Sequence, residues 1–331
     1  MKPKTTTALA IALSIVFSSL FADVSEAVSD SGRIFASPPV IEDTWQAVPI
    51  RDTSRAGYDY QVFHADGVFI TDNKESPFYE ASYYSQGTLI LDKVGDAVGE
   101  STFVEATGPD GDTVWWYTLH FYEEGPADFY FIAGTGKWFG IVGGGTLVRN
   151  PQPLRTDGKP TYAWDLEWEI SDNPIQQVSG PPVRDSYPNH TVGFSFHGPH
   201  VTEAKRWPGG KDNYLFTSNY QDEAQIVTDP EDPWYLGYGF HQGTGVRDAD
   251  NPDGVLMDAG IVSVLHPDGD IFFYAVVAWY ATGEVSARLI GGTGKYRNID
   301  GFGNVAPTLV GGGPRVDRTF ILNWEFHWSL D

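Results

Sequence analysis

Apolar and polar residues alternate along short stretches of this chain, among them TVWWYTLHFY, DFYFIAG, AWDLEWEIS, VGFSFHG, DIFFYAVVAWY and FILNWEFHWSL. These runs are rich in aromatic and β-branched residues and are separated by clusters of Gly, Pro, Asp and Asn, the pattern that predicts strands and turns. No sustained helical period follows residue 27, so the chain reads as all-β. In TVWWYTLHFY, Trp115, Tyr117, Leu119 and Phe121 fall on one face of the strand, and Trp116, His120 and Tyr122 on the other. DIFFYAVVAWY sets Phe273, Val277 and Trp279 against Tyr274, Val276 and Tyr280 in the same way. With apolar or aromatic side chains on both faces, such a strand must be covered twice, once by a domain interior and once by a sister domain or another subunit. Antiparallel sandwiches and closed barrels both meet that requirement, and periodicity alone does not separate them.

Those two strands sit in a repeated frame. PDGDTVWWYTLHFYEEGPADFYFIAGTGKW (residues 109–138) and PDGDIFFYAVVAWYATGEVSARLIGGTGKY (residues 267–296) share both ends and the length between them, with Tyr122 matching Tyr280 and Gly125 matching Gly283. Farther on, Trp164 and Trp168 correspond to Trp324 and Trp328. One domain duplicated in tandem explains this spacing better than a solenoid of many short units. The boundaries follow: residues 28–171 for the first domain, the Pro-rich residues 172–188 as linker, and residues 189–331 for the second. Ahead of them, a basic start (MKPK), an apolar run and the small-x-small Ser25-Glu26-Ala27 predict a secretory signal over residues 1–27.

Removing residues 1–27 takes Lys2, Lys4, Asp23 and Glu26 and leaves the net charge at −23. An acidic surface disfavours nucleic acid and anionic membranes as partners. Cysteine is absent, so an exported product, outside the cell or in a periplasm, must rely on packing rather than disulfides. Two units of about 140 residues, rich in aromatics, are long enough to bury cores of their own.

The Gly-Thr-Gly-Lys ends supply the backbone freedom of a hairpin corner. They do not fit a phosphate loop, which needs a longer Gly-rich frame, Lys-Ser/Thr and a following helix. In the second copy, RLIGGTGKYRNIDGFGNV resembles the signature of the dirigent proteins and, more loosely, of the allene oxide cyclases; the closing strand FILNWEFHWSL is similar to the aromatic last strand of both. The resemblance covers most of residues 254–331 and, more weakly, 95–171. It implies two tandem antiparallel eight-stranded barrels with apolar cavities, no metal or organic cofactor, assembly into homo-oligomers, and a reactive small molecule steered to one stereochemical outcome. Arg297 matches the first Arg of the dirigent signature, Asp300 stands where a later Arg is found, and GTGKWFGIVGGG in the first copy has neither.

Other constellations carry weaker chemical signals. His190, His197 and His200 are the densest His group, yet on a strand His197 and His200 face opposite ways unless a turn intervenes at Gly198-Pro199. Asp248, Asp250, Asp253 and Asp258 suggest a calcium loop, but Pro252 takes the third ligand position and Gly254 arrives one residue late. Thr228 to Pro233 is a weaker case of the same kind. Glu167 and Glu169 share one strand face, as glycosidase carboxylates could, while Trp164 and Trp168 share the other. No G-x-S-x-G elbow is present, and Asn189-His190-Thr191 is a glycosylation sequon.

The expectation is therefore an exported pair of barrels that binds a small apolar or aromatic molecule and directs its cyclisation or coupling. Candidate catalytic residues are Tyr274, Tyr280, Arg297 and Asp300; the candidate cavity wall is Trp116, Tyr117, His120, Tyr122 and Trp279. The competing expectation is a non-catalytic exported binding or structural protein with an acidic, calcium-binding surface. Cavity volume separates the two: aromatic filling favours the second, and an open pocket with convergent polar groups favours the first.

Overall fold

A computed structural model describes residues 27–46, 58–150, 155–172, 177–180, 189–201, 214–227, 235–248, 251–279, 284–303, 308–309 and 320–330. The predicted signal up to residue 26, Tyr280 and Asp250 lie outside them. The first half contributes β1 (Val28–Ala36), β2 (Val40–Gln46), β3 (Asp59–Ile70), β4 (Ser82–Leu91), β5 (Ala97–Thr107), β6 (Thr113–Phe121), β7 (Ala127–Gly134), β8 (Ile141–Arg149) and β9 (Thr161–Ile170). They form an antiparallel sheet in the order β1-β9-β8-β7-β6-β5-β4-β3-β2, and β1 pairs back onto β3. All of these strands except β2 thus close into an eight-stranded barrel, with β2 laid along the start of β3.

The second half contributes β10 (Asn189–Val201), β11 (Tyr214–Val227), β12 (Tyr238–Asp248), β13 (Asn251–Leu265), β14 (Ile271–Trp279), β15 (Glu284–Gly292), β16 (Asp300–Gly303), β17 (Thr308–Leu309) and β18 (Phe320–Ser329). They make a nine-stranded antiparallel sheet in the order β10-β11-β12-β13-β14-β15-β16-β18-β17. The all-β class is as predicted, and one of the two expected barrels is closed in the first half. In β10 the pairing with β11 shifts register between His197 and His200, where the sequence required a turn if both were to face one way. Of the Asp-rich stretch, Asp248 ends β12 and lies opposite Asn251, which starts β13.

Strand alternation assigns the two faces as the sequence predicted. Trp116 joins Phe69, Phe129, Phe131 and Trp164 in the barrel interior. Trp115 and Tyr117 instead join Met257, Ile261 and Val277 of the second half, and Phe121 joins Phe273. Between β3 and β4 the chain sends Phe78 into one end of the barrel, where it stacks on Phe69 at 4.8 Å and meets Trp116 and Trp164 edge-on at 5.1 and 5.0 Å. Buried Asp30 holds this plug in place by accepting hydrogen bonds from Ser76 Oγ and, at 3.1 Å, Asn73 Nδ2.

The two halves pack with near two-fold reciprocity. Gln86 Nε2 donates to the Gly243 carbonyl at 3.2 Å, and Gln242 Nε2 donates to the Gly87 carbonyl at 3.5 Å. Thr88 meets Ser263 at 3.3 Å, while Thr244 donates to Glu105 at 2.8 Å. Each pair of contacts is one contact made twice with the halves exchanged, as at an isologous dimer interface.

The repeated frame is a corner held from within. Asp112 accepts from the Lys137 N–H at 3.1 Å and Asp270 from the Lys295 N–H at 3.1 Å. Thr135 Oγ1 accepts from the Thr113 N–H and Thr293 Oγ1 from the Ile271 N–H. Only the second copy adds a histidine: His266, in the place of Gly108, lies 2.8 Å from Asp268, which Lys295 also holds at 2.5 Å. Burial is the main force lowering the His266 pKa, partly offset by Asp268. The unfolded chain then takes up a proton near its ordinary value of about 6.5 that the folded chain refuses, so stability is full above that pH and falls below it. The Asp268 carboxyl, held low by Lys295 and His266 against its own burial, withdraws further stability only in the carboxylate range. Thermal unfolding should show a midpoint that drops between pH 7 and 5.5 in the native chain, with that first step lost in His266→Gly.

Candidate functional site

The end of the barrel away from Phe78 is open and polar. Along β3 the plug holds Phe69, whereas Phe63, nearer the start of the strand, lines a cavity of about 210 Å3 with Ala65, Tyr83, Leu89, Pro160 and Tyr162. Strand β5 passes through this cavity. Its alternation turns Glu100, Thr102 and Val104 inward, and Phe103 and Glu105 toward the second half.

Glu100 is 5% exposed and accepts a hydrogen bond from the Tyr122 hydroxyl at 3.0 Å. The Arg149 guanidinium, from the end of β8, lies over the Tyr122 ring at 4.2 Å, and the His120 ring meets the same tyrosine edge-on at 5.1 Å. His120 Nε2 lies 2.7 Å from the Gly125 carbonyl, which can only accept, so Nε2 carries the proton. Among the described residues, Thr102 Oγ1, Arg149 Nε and His120 Nδ1 are buried without a hydrogen-bond partner. Thr102 and Arg149 line this cavity, and unpartnered atoms of the same kind, such as Trp116 Nε1 and Trp164 Nε1, also occur deeper in the barrel.

Burial raises the pKa of Tyr122, Tyr162 and Tyr83, and the Glu100 charge raises each further. All three phenols therefore stay protonated. Burial works against the charge on Arg149, but Tyr122, Tyr162 and Glu100 outweigh it and the net shift is upward. The cavity wall thus combines the Glu100 carboxylate, to which Tyr122 is bonded, with the Arg149 guanidinium and the Thr102 hydroxyl, donors able to hold an oxygen on which charge develops.

The predicted residues do not converge on one place. Trp116 is inside the barrel at 2% exposure, and His120 and Tyr122 stand at its polar end. Tyr117 lies on the opposite strand face between the halves, its hydroxyl donating to the Ser179 carbonyl at 2.9 Å. Trp279 is also between the halves, edge-on to Phe139 at 5.5 Å. Arg297 leaves the second half to lie on the Phe121 ring at 3.5 Å and pair with Glu124, and Asp300 pairs with Arg288 at 3.2 Å. Tyr274 is buried in the core of the second sheet, edge-on to Phe326 at 5.4 Å.

Glu100 and Arg149 were not anticipated, because an acid within a strand and a base at a strand end read as solvated. The available signal was cross-strand: Glu100 lies opposite His120 in the β5–β6 ladder. The equivalent pair in the second half is Asp258 opposite Ala278, so the His–Tyr–Glu set is not duplicated. No family model, curated protein or solved structure matches this chain.

Proposed function

We propose that the first barrel binds a small apolar or aromatic molecule at its open end and directs the cyclisation or coupling of that molecule by proton transfer and orientation. The observation that carries this reading is the 210 Å3 cavity lined by Glu100, Thr102 and Arg149, with the Tyr122 hydroxyl bonded to Glu100. Glu100 accepts and returns the proton, the Tyr122 hydroxyl holds its carboxylate in place, and Arg149 with Thr102 holds the developing oxyanion. Phe63, Leu89 and Tyr162 fix the conformation from which the ring closes. The reading includes export of the chain with cleavage after Ala27. It also includes a second barrel of dirigent or cyclase type, supported by the pairing of β10 with β18 from Asn189 opposite His327 to Phe196 opposite Phe320.

A second reading, a rigid binding or structural protein, is favoured by the aromatic filling below the cavity, where Phe78, Trp116 and Trp164 touch. Native mass spectrometry of the chain from Val28, purified gently from its source medium, tests both. A small molecule retained by the native chain and lost from Glu100→Gln and Arg149→Met supports the site. Retention that ignores both substitutions, or a chain that never carries a ligand, defeats it. A ligand released chemically unchanged after incubation favours the non-catalytic reading.

A further inference from the structure

We propose that the cleft between the two halves is a second binding site, and that it takes an amphipathic organic cation, a small aromatic or alkyl body bearing an ammonium group. Neither half makes this cleft alone. Leu119 and Phe121 of the first half and Leu289 and Ile290 of the second form the apolar floor of a cavity of about 300 Å3, rimmed by Glu124, Asp128 and Asp300. That volume sits at the small end of ligand pockets.

The charges decide the sign of the ligand. The two arginines at the cleft are already matched, Arg297 by Glu124 and Arg288 by Asp300. The Asp128 carboxylate has no hydrogen-bond or ionic partner among the described residues, and it stands where this cavity meets a broader groove of about 870 Å3. Glu167 and Glu169, on one face of β9, line that groove and are likewise unmatched among the described residues. The cleft therefore keeps an excess of negative charge within a chain of net charge −23.

The form of the ligand follows from how that charge is distributed. Among the described residues no three His, Asp or Glu side chains are grouped to hold a metal ion. Beside Asp128, Tyr130 lines both cavities, and its ring lies 5.9 Å from that of Tyr117. One carboxylate beside aromatic faces and above an apolar floor suits an ammonium group carried on an apolar body, since ring faces attract such cations. An anionic ligand would meet the unmatched Asp128 carboxylate, with Glu124 and Asp300 already paired to arginines.

Titration calorimetry on the intact two-half chain at low salt tests this with 2-phenylethylammonium, the neutral 2-phenylethanol and the anionic 3-phenylpropanoate. The ammonium should bind about tenfold tighter than the alcohol, the order expected of one partly screened charge contact, and the anion should give no signal. Asp128→Asn should remove the advantage of the ammonium, with Asp128→Ser as a second variant if the first does not fold. Glu100→Gln, in the barrel cavity, should leave the ammonium affinity within twofold, which separates this site from the one proposed above. Equal binding of ammonium and alcohol, an unchanged affinity in Asp128→Asn, a loss in Glu100→Gln, or no binding of the ammonium at millimolar concentration would overturn the proposal.

Discussion

Trp116→Ala should lower the unfolding free energy by about 3–5 kcal/mol, the range for truncating a large buried aromatic. Trp116 is 2% exposed and is the side chain on which the barrel plug rests. Its ring meets Phe78 at 5.1 Å, Phe69 at 5.6 Å and Phe129 at 5.8 Å, so truncation strips one wall from three neighbours. Collapse cannot refill the space, because Phe78 is tied to its own loop through Ser76 and Asp30 and the barrel wall is hydrogen-bonded all round. Trp116→Phe keeps most of the contact and should cost about 1–2 kcal/mol. Denaturant unfolding followed by tryptophan fluorescence and far-UV circular dichroism measures both. A loss under about 1 kcal/mol for Trp116→Ala would mean that the plug and the strands do not share one core.

The place of Trp116 was legible because the strand signal there is local. Alternation in β6 and β14 requires no partner to be known, and it placed Trp115, Tyr117, Leu119 and Phe121 together on the face that meets the second half. The duplicated corner was equally legible as identical words at equal spacing. A shorter repeat passed unread: Gln-Gly-Thr stands at 86–88 and again at 242–244, and these residues make the reciprocal contacts between the halves.

The candidate site was hidden for a different reason. Glu100, Tyr122, Arg149 and Tyr162 come from separate segments and meet only because the barrel closes, and closure leaves no mark in the period of any one strand. Family resemblance made Arg297 a candidate catalytic residue, but this residue follows the short turn Gly294–Tyr296 with helical backbone, and its guanidinium is taken by Phe121 and Glu124 of the other half. That contact depends on how two copies dock, which the signature of one copy does not encode.

Gly136→Ala and Gly294→Ala should each cost about 3 kcal/mol, the sum of a left-handed backbone penalty and a lost charge-assisted hydrogen bond. Gly136 has φ +54° and Gly294 φ +49°. A Cβ on Gly136 would lie 1.9 Å from Asp112 Oδ1, and one on Gly294 2.0 Å from Asp270 Oδ1. The carboxylate cannot yield without releasing the Lys137 or Lys295 N–H that it accepts. Gly158 serves as the control: its φ of +72° is also left-handed, but a Cβ there meets nothing within 4 Å, so Gly158→Ala should cost only about 1 kcal/mol. The decisive measurement is a double-mutant cycle. If the clash is with the Asp112 carboxylate, then removing that carboxylate relieves it, and Asp112→Ala with Gly136→Ala should cost less than the two single losses added. Additivity within about 0.5 kcal/mol would show that the two residues do not act on each other and that the repeated words of this chain are kept for a reason other than the corner they build.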